Sequence, residues 1–443
     1  MRQLLARHQP LRHAGEHSSS GAGGEWHCEK DPGDYRQQYP PAAGRGINRA
    51  VLWTSLPEIR IRQLMRISLP GMHDQESRLA RECGKVTPGT LVITLEAEFM
   101  KIQRFPSRLV TLVTLLWITS GLAAAAGFHV TKTYALGGDG GWDYLSLDPA
   151  SRHLFISRAT HVIVIDADSG KPVGDIPDTP GVHGIALAPN LGRGFISNGR
   201  EGTVSIFDLK TLETQGKVKA GENPDAILYD PASKRVFAFN GRSHDVTAID
   251  AEKGTVVGVI KLDGKPEFAV SDEKGEVFVN IEDKSEIAAI DPQKLQVKAL
   301  WPLAPCQEPT GLAMDRKSRR LFAGCLNKLM AVVDADSGKV LATLPIGEGV
   351  DANAFDPGTG MAFASCGEGV LTVVHEDLPA KFSVVENVPT QRGARTMALD
   401  PKTHQIFLVT AKFGPIPPPT ADQPRPRPAI LPDSFVGLVV GTE

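Results

Sequence analysis

Cysteine and tryptophan are scarce in this chain, and their placement removes several chemistries at once. Five cysteines occur in 443 residues, and none forms a C-x-x-C or C-x-x-C-H pattern. That excludes covalent haem attachment and the zinc-ribbon type of metal site. Of five tryptophans, only Trp142 and Trp301 lie beyond residue 126. The repeated tryptophan docking motifs of quinoprotein dehydrogenases are missing, which argues against a quinone cofactor. No other cofactor is specified. Positive charge is not in excess either, since the formal net charge is −3. Beyond residue 126 the balance is more acidic, with about 32 basic against about 40 acidic side chains. An acidic domain is a poor partner for phosphate backbones, so nucleic acid is not the expected ligand.

Aromatic content is 6%, while glycine (44) and proline (33) are abundant. That balance suits a turn-rich all-β protein. The stretch from Glu308 to Gly347 shows the building unit. Four runs of about five residues end in Asp, Gly, Ser or Pro, as short antiparallel strands joined by tight turns do. The unit recurs. A turn after the first strand falls at Asp148, Ala188, Asp230, Asp272, Asp315, Asp356 and Asp400, at spacings of about 40 to 44 residues. The third strand ends at Asp166, Asp208, Asp250, Asp291, Asp334 and His375. A phenylalanine sits in phase in the second strand at 155, 195, 237, 278, 322, 363 and 407.

Seven starts predict seven four-stranded antiparallel blades. One such sheet cannot cover both of its faces, so the sheets stack radially as a β-propeller. His129–Tyr134 reads as an outer strand with no blade of its own, and the last repeat stops after a third strand, Phe435–Val440. The ring is therefore expected to close by the N-terminal strand completing the last blade, which removes two sheet edges.

Residues 1–99 lack this period and read as an unstructured or spurious upstream extension. Residues 100–126 read as a secretory signal peptide. Met100–Arg108 is basic, Leu109–Ile118 is apolar and Ser120–Ala126 is small, with cleavage near Ala126. Translation is expected to begin at Met100, leaving 127–443 as the propeller. The alternative is an uncleaved anchor, for which the apolar run is marginal. The expected location is periplasmic or secreted, with no membrane span after cleavage and a monomeric state.

Export permits a disulfide. Cys306 precedes the first strand of the fifth repeat and Cys325 ends its second, so both lie towards one end of a blade and are expected to bond. Cys366 holds the place of Cys325 in the next repeat and reads as a free, half-buried thiol.

The D-P-x-x-x-x-x-F turn (Asp148 to Phe155, Asp230 to Phe237) and the V-x-x-I-D-A-x-x-G-K strand (Val162–Lys171) resemble the YVTN-repeat, YncE-like family of bacterial β-propellers. The resemblance extends over essentially all of 127–443. It implies the fold and no settled catalytic residues. In fold it is also similar to the heavy chain of methylamine dehydrogenase and to lactonase-type propellers.

Five residues before each first turn stand Asp143, His183, Asp225, Glu267, Thr310, Asp351 and Arg395. The innermost strands begin there, so these seven are expected to ring the axial entrance and bind a ligand. The competing reading is a solvated mouth whose charges line water. Acidic members and His183 suit a cation, and Arg395 suits an anionic group. His183 with Asp143 or Asp225 could hold an ion, but no spacing specifies a geometry, so no metal ligands are assigned. Arg158, Asn198, Asn240 and Asn280 are expected to bond turn backbones. The proline-rich stretch Lys412–Pro428 interrupts the last repeat and reads as a lid, a docking arm or a solvated insertion. The leading expectation is a non-catalytic module for a small molecule or a protein partner at the entrance. A lactonase-like or oxidoreductase enzyme, or a cell-envelope structural protein, are the alternatives.

Overall fold

The computed structural model describes residues 127–378, 380–420 and 426–442. The extension and signal peptide expected at 1–99 and 100–126 lie outside the described residues. No helix among the described residues is long and apolar enough to cross a membrane.

Seven four-stranded antiparallel sheets form a seven-bladed β-propeller. Blades one to six run in sequence order from the innermost strand outward, each built from four consecutive strands. Innermost strands of neighbouring blades touch all the way round, blade seven against blade one included. Blade seven closes the ring as the sequence predicts. Its third strand, Val436–Gly441, pairs antiparallel with His129–Ala135, in a register that sets His129 opposite Gly441. The in-phase phenylalanines explain the packing. Phe155, Phe195, Phe237, Phe278, Phe322, Phe363 and Phe407 are all buried, each in the apolar layer between adjacent sheets.

The periodic aspartates have a separate cause. Asp166 accepts the backbone N–H of Ser169 at 2.8 Å, Asp208 those of Lys210 and Thr211, and Asp334 that of Ser337 at 2.9 Å. First-turn aspartates do the same, as where Asp272 accepts the N–H groups of Lys274, Gly275 and Glu276. Each carboxylate takes N–H groups that the tight turn leaves outside the ladder. In blade six His375 replaces the third-strand aspartate, and the hairpin there continues through Val370–Leu378 and Lys381–Pro389.

The hydroxyls of Ser169 and Ser337 hold Asp166 and Asp334 below the ordinary carboxylate value, and backbone N–H groups do the same for Asp208, Asp250 and Asp291. Such groups add stability in full above their unfolded pKa, near 4, and lose it as pH falls through the lower folded value. The share of stability that these aspartates supply should therefore be constant from about pH 5 to 7, and thermal melts should fall steeply below about pH 4. A melting temperature that keeps its neutral value at pH 3 would overturn this account.

Cys306 and Cys325 are bonded, with Cα atoms 5.8 Å apart. Both are buried in the layer between blades four and five. Cys366 is free but fully buried rather than half-buried. It faces the blade five–six layer with Ala364 and Val350, and burial pushes its thiol up to about 12. A thiol in that state is inert.

Candidate functional site

The ring predicted from spacing sits on a recurrent irregularity in the inner strands. In blades two to five, two inner-strand residues oppose one residue of the second strand. The first of each pair is His183, Asp225, Glu267 or Thr310. In blade six the extra residue is Asp351. A bulge bends the strand and re-aims one side chain out of the pleat. Asp143 and Arg395 stand just ahead of the inner strands Leu145–Asp148 and Met397–Asp400.

A bulge also leaves backbone groups without a ladder partner, and here the preceding blade supplies them. Ser197 Oγ donates to the Asp225 carbonyl at 2.5 Å, and Asn280 donates to the carbonyls of Thr310 and Gly311. Ser365 Oγ donates to the Arg395 carbonyl, and Thr396 Oγ1 to that of Asp143 at 2.6 Å. Asp143 N–H in turn donates to Ser157 Oγ at 2.8 Å. All of these but the Asp143–Ser157 bond cross the seams between blades, and all but the Ser365 bond are buried, so the backbone of the mouth is held in place.

Five of the seven predicted residues belong to one charged chain. Arg395 bonds Asp351 through Nε at 2.5 Å and Asp143 Oδ1 through Nη2 at 3.1 Å. Asp143 Oδ2 lies 2.7 Å from His183 Nδ1, which lies 3.6 Å from Asp225 Oδ1. Glu267 follows in blade four. Thr310 leaves the series, because its hydroxyl donates to the Val350 carbonyl at 2.8 Å and links blades five and six. Asp143, Asp225 and Glu267 are buried; His183, Asp351 and Arg395 are partly exposed.

Burial alone would lower the Arg395 pKa, but the carboxylates of Asp351 and Asp143 outweigh it and raise it. Glu267 is pushed well above the carboxylate range by burial and then by the Asp225 charge, while Lys265 opposes. Lys265 Nζ, 2.5 Å from Glu267, also pairs with Glu282.

Several residues of the site were not anticipated. Tyr144 is buried beside Asp143, and its ring meets Phe268 of blade four edge-on, with centroids 5.2 Å apart. Burial raises its phenol, with further pushes from Asp225, Asp351 and Glu267 of blades three, six and four. A side chain from blade one that feels three distant blades lies near the axis. Lys265 and Glu282 gave no periodic signal. Ser157, Ser197, Asn280 and Ser365 did: each stands two residues after an in-phase phenylalanine, a polar break in an apolar run.

The second-strand residues divide. Arg158 Nη2 donates to the carbonyls of Gly138 and Asp139, as expected. The guanidinium lies 3.7 Å over the Phe435 ring, and burial lowers it to about 10. Asn280 also bonds backbone, but of a bulge and not a turn. Asn198 and Asn240 bond third-strand side chains instead, Thr203 and Ser205 in one case, Asp245 and Thr247 in the other. The proline-rich insertion is pinned at its base by Phe413, whose ring lies 6.0 Å from that of Trp142, next to Asp143. A shallow depression lined by Thr160, His161 and Asp178 lies on blade one and shares no residue with the ring.

No family model matches the chain. Over 114 residues it is 25% identical to the dihydro-heme d1 dehydrogenase of Pseudomonas aeruginosa, a match covering 26% of this chain and 23% of that protein. The chain thus spans under a quarter of that relative. Among solved structures, a chain of Kuenenia stuttgartiensis hydrazine synthase aligns with a TM-score of 0.54 and 17% identity, covering 62% of this chain and 94% of that one. U3-55K aligns with a TM-score of 0.58 and 9% identity, covering 71% and 98%. At such identities these likenesses show the propeller fold alone.

Proposed function

We propose that this chain is an exported propeller of the YVTN-repeat type that binds a small ligand at its axial mouth without converting it. The observation that carries this reading is the charged chain from Asp351 through Arg395, Asp143 and His183 to Asp225. It joins five blades, on a backbone held by bonds from the preceding blade. Sheet packing alone asks for small or apolar residues there, and a water-lined mouth does not need buried carboxylates held in register. The acidic arc of Asp143, Asp225 and Glu267 suits a cationic centre, and Arg395 suits an anionic group. Export is supported by the leader-like stretch at 100–126 and by the disulfide.

Native mass spectrometry of the protein from its own exported fraction tests this. The expected species begins near Gly127, is lighter by two hydrogens for the disulfide, and carries extra mass that is lost in Arg395→Ala and Asp225→Asn. A clean, ligand-free species would overturn the reading. One observation favours an enzyme instead: a carboxylate 2.7 Å from a histidine Nδ1 is the pair that orients a general base. In that case His183→Ala abolishes turnover and leaves ligand mass in place.

A further inference from the structure

We infer that Asp143, His183 and Asp225 form a site for one divalent transition-metal ion. The inference rests on the mouth being a cation site and names the cation. One donor atom from each of these residues lies within 4.8 Å of the others. They come from blades one, two and three, so no turn or local hydrogen-bond habit accounts for their meeting. The turn aspartates differ, since each spends its oxygens on N–H groups two to four residues ahead.

Donor chemistry narrows the ion. One imidazole nitrogen with two carboxylate oxygens suits zinc, cobalt, nickel or copper, whereas magnesium and calcium take oxygen ligands alone. Ligand atoms about 2.0–2.2 Å from a tetrahedral ion lie roughly 3.4 Å apart. The observed separations of 2.7 and 3.6 Å bracket that value. Three protein ligands leave a fourth position for a ligand group, the pattern of exchangeable sites. On binding, the proton between Nδ1 and Asp143 leaves or moves to Nε2.

Three further features agree. Asp143 is divided, Oδ1 towards Arg395 and Oδ2 towards His183, so the carboxylate that would share an ion with Nδ1 is oriented by the guanidinium. The lack of a side chain at Gly199 lets the Nε2 edge of the imidazole lie close against the chain. A Cβ there would meet His183 Nε2 and Asn223 Oδ1, each at 2.7 Å. The backbones of Asp143 and Asp225 are each held by the preceding blade, through Thr396 and Ser197, so the donors are positioned in advance.

The test uses the full chain, stripped with a chelator and titrated with Zn²⁺ or Co²⁺ alone. Residues 1–99 carry their own histidines and cysteines, so the readout is the difference between variants. The unaltered chain should bind one equivalent more than His183→Ala. Asp225→Asn should weaken that equivalent by more than the ~10–100-fold typical of losing an outer partner. Zn²⁺ should raise the melting temperature of the unaltered chain and not of the variants. Thr310→Val should behave as the unaltered chain. If His183→Ala fails to fold, the isosteric Asp225→Asn carries the comparison. Equal stoichiometry and affinity in all four proteins would overturn the inference. If organic ligand mass still depends on Arg395 in that case, the mouth stands without its metal; if it does not, both fall.

Discussion

Starting the chain at Leu136 instead of Gly127 will cost about 4–6 kcal/mol, from the lower end of the ~1.5–3 kcal/mol range for each buried apolar side chain. Three such side chains are lost. Phe128 sits edge-on to Phe363 at 5.4 Å, Val130 packs in the blade six–seven layer, and Tyr134 packs in the blade seven–one layer. All three are partly buried, hence the lower figure. At roughly 1.5 °C per kcal/mol for a domain of about 300 residues, the melting temperature should drop by about 6–9 °C. Val436–Gly441 becomes an open edge, so the shortened protein should also self-associate in light scattering. A permutant gives the decisive comparison. His129 lies opposite Gly441, so residues 127–135 can be joined by a short turn after Thr442. That chain, which also begins at Leu136, should melt within a few degrees of the 127–443 domain. Failure of the permutant to recover would mean that the strand acts otherwise than by closing the sheet.

Removing the disulfide should cost about 3 kcal/mol, the loop-closure entropy for a cross-link of this span. The two cysteines are 19 residues apart. Cys306→Ala with Cys325→Ala should thus melt about 5 °C lower, and reduction of the unaltered protein should reproduce the shift. The place matters as much as the span. Residues after Pro302 leave the outer edge of blade four and return to the inner strand Pro309–Asp315. The bond ties that crossing to the end of the second strand of blade five. In blades two and three the equivalent position holds Asn198 and Asn240, whose amides reach the third strand. A shift below about 1 °C on reduction would show that the crossing is held by packing alone.

The blades were legible because three markers repeat in phase: the turn after the first strand, the aspartate that ends the third, and the buried phenylalanine of the second. The ring positions were legible by one offset from the first of these. Its internal pairing was not. Spacing says that Thr310 occupies a ring position, and only the backbone shows its hydroxyl turned to Val350. Spacing is equally silent on Arg395 reaching across the closure seam to Asp143, since 252 residues separate them. Tyr144 is missed for a different reason. It occurs once, and period-based reading discards whatever does not recur. Cys366 is buried where a half-buried thiol is expected, because it lies in the apolar layer between blades five and six, which one repeat read alone does not show.

The hydrogen bonds that cross from one blade to the next give the mouth an unusual unit of inheritance. Asp225 is carried by blade three, but its backbone is held by Ser197 of blade two; Asp143 of blade one is held by Thr396 of blade seven. A blade moved into another propeller would bring its side chain and leave behind the grip that aims it. The transferable module is a seam, the end of one repeat together with the start of the next. Grafting this mouth elsewhere would therefore mean cutting through the middles of sheets, where the phenylalanines sit, and not at the loops between them.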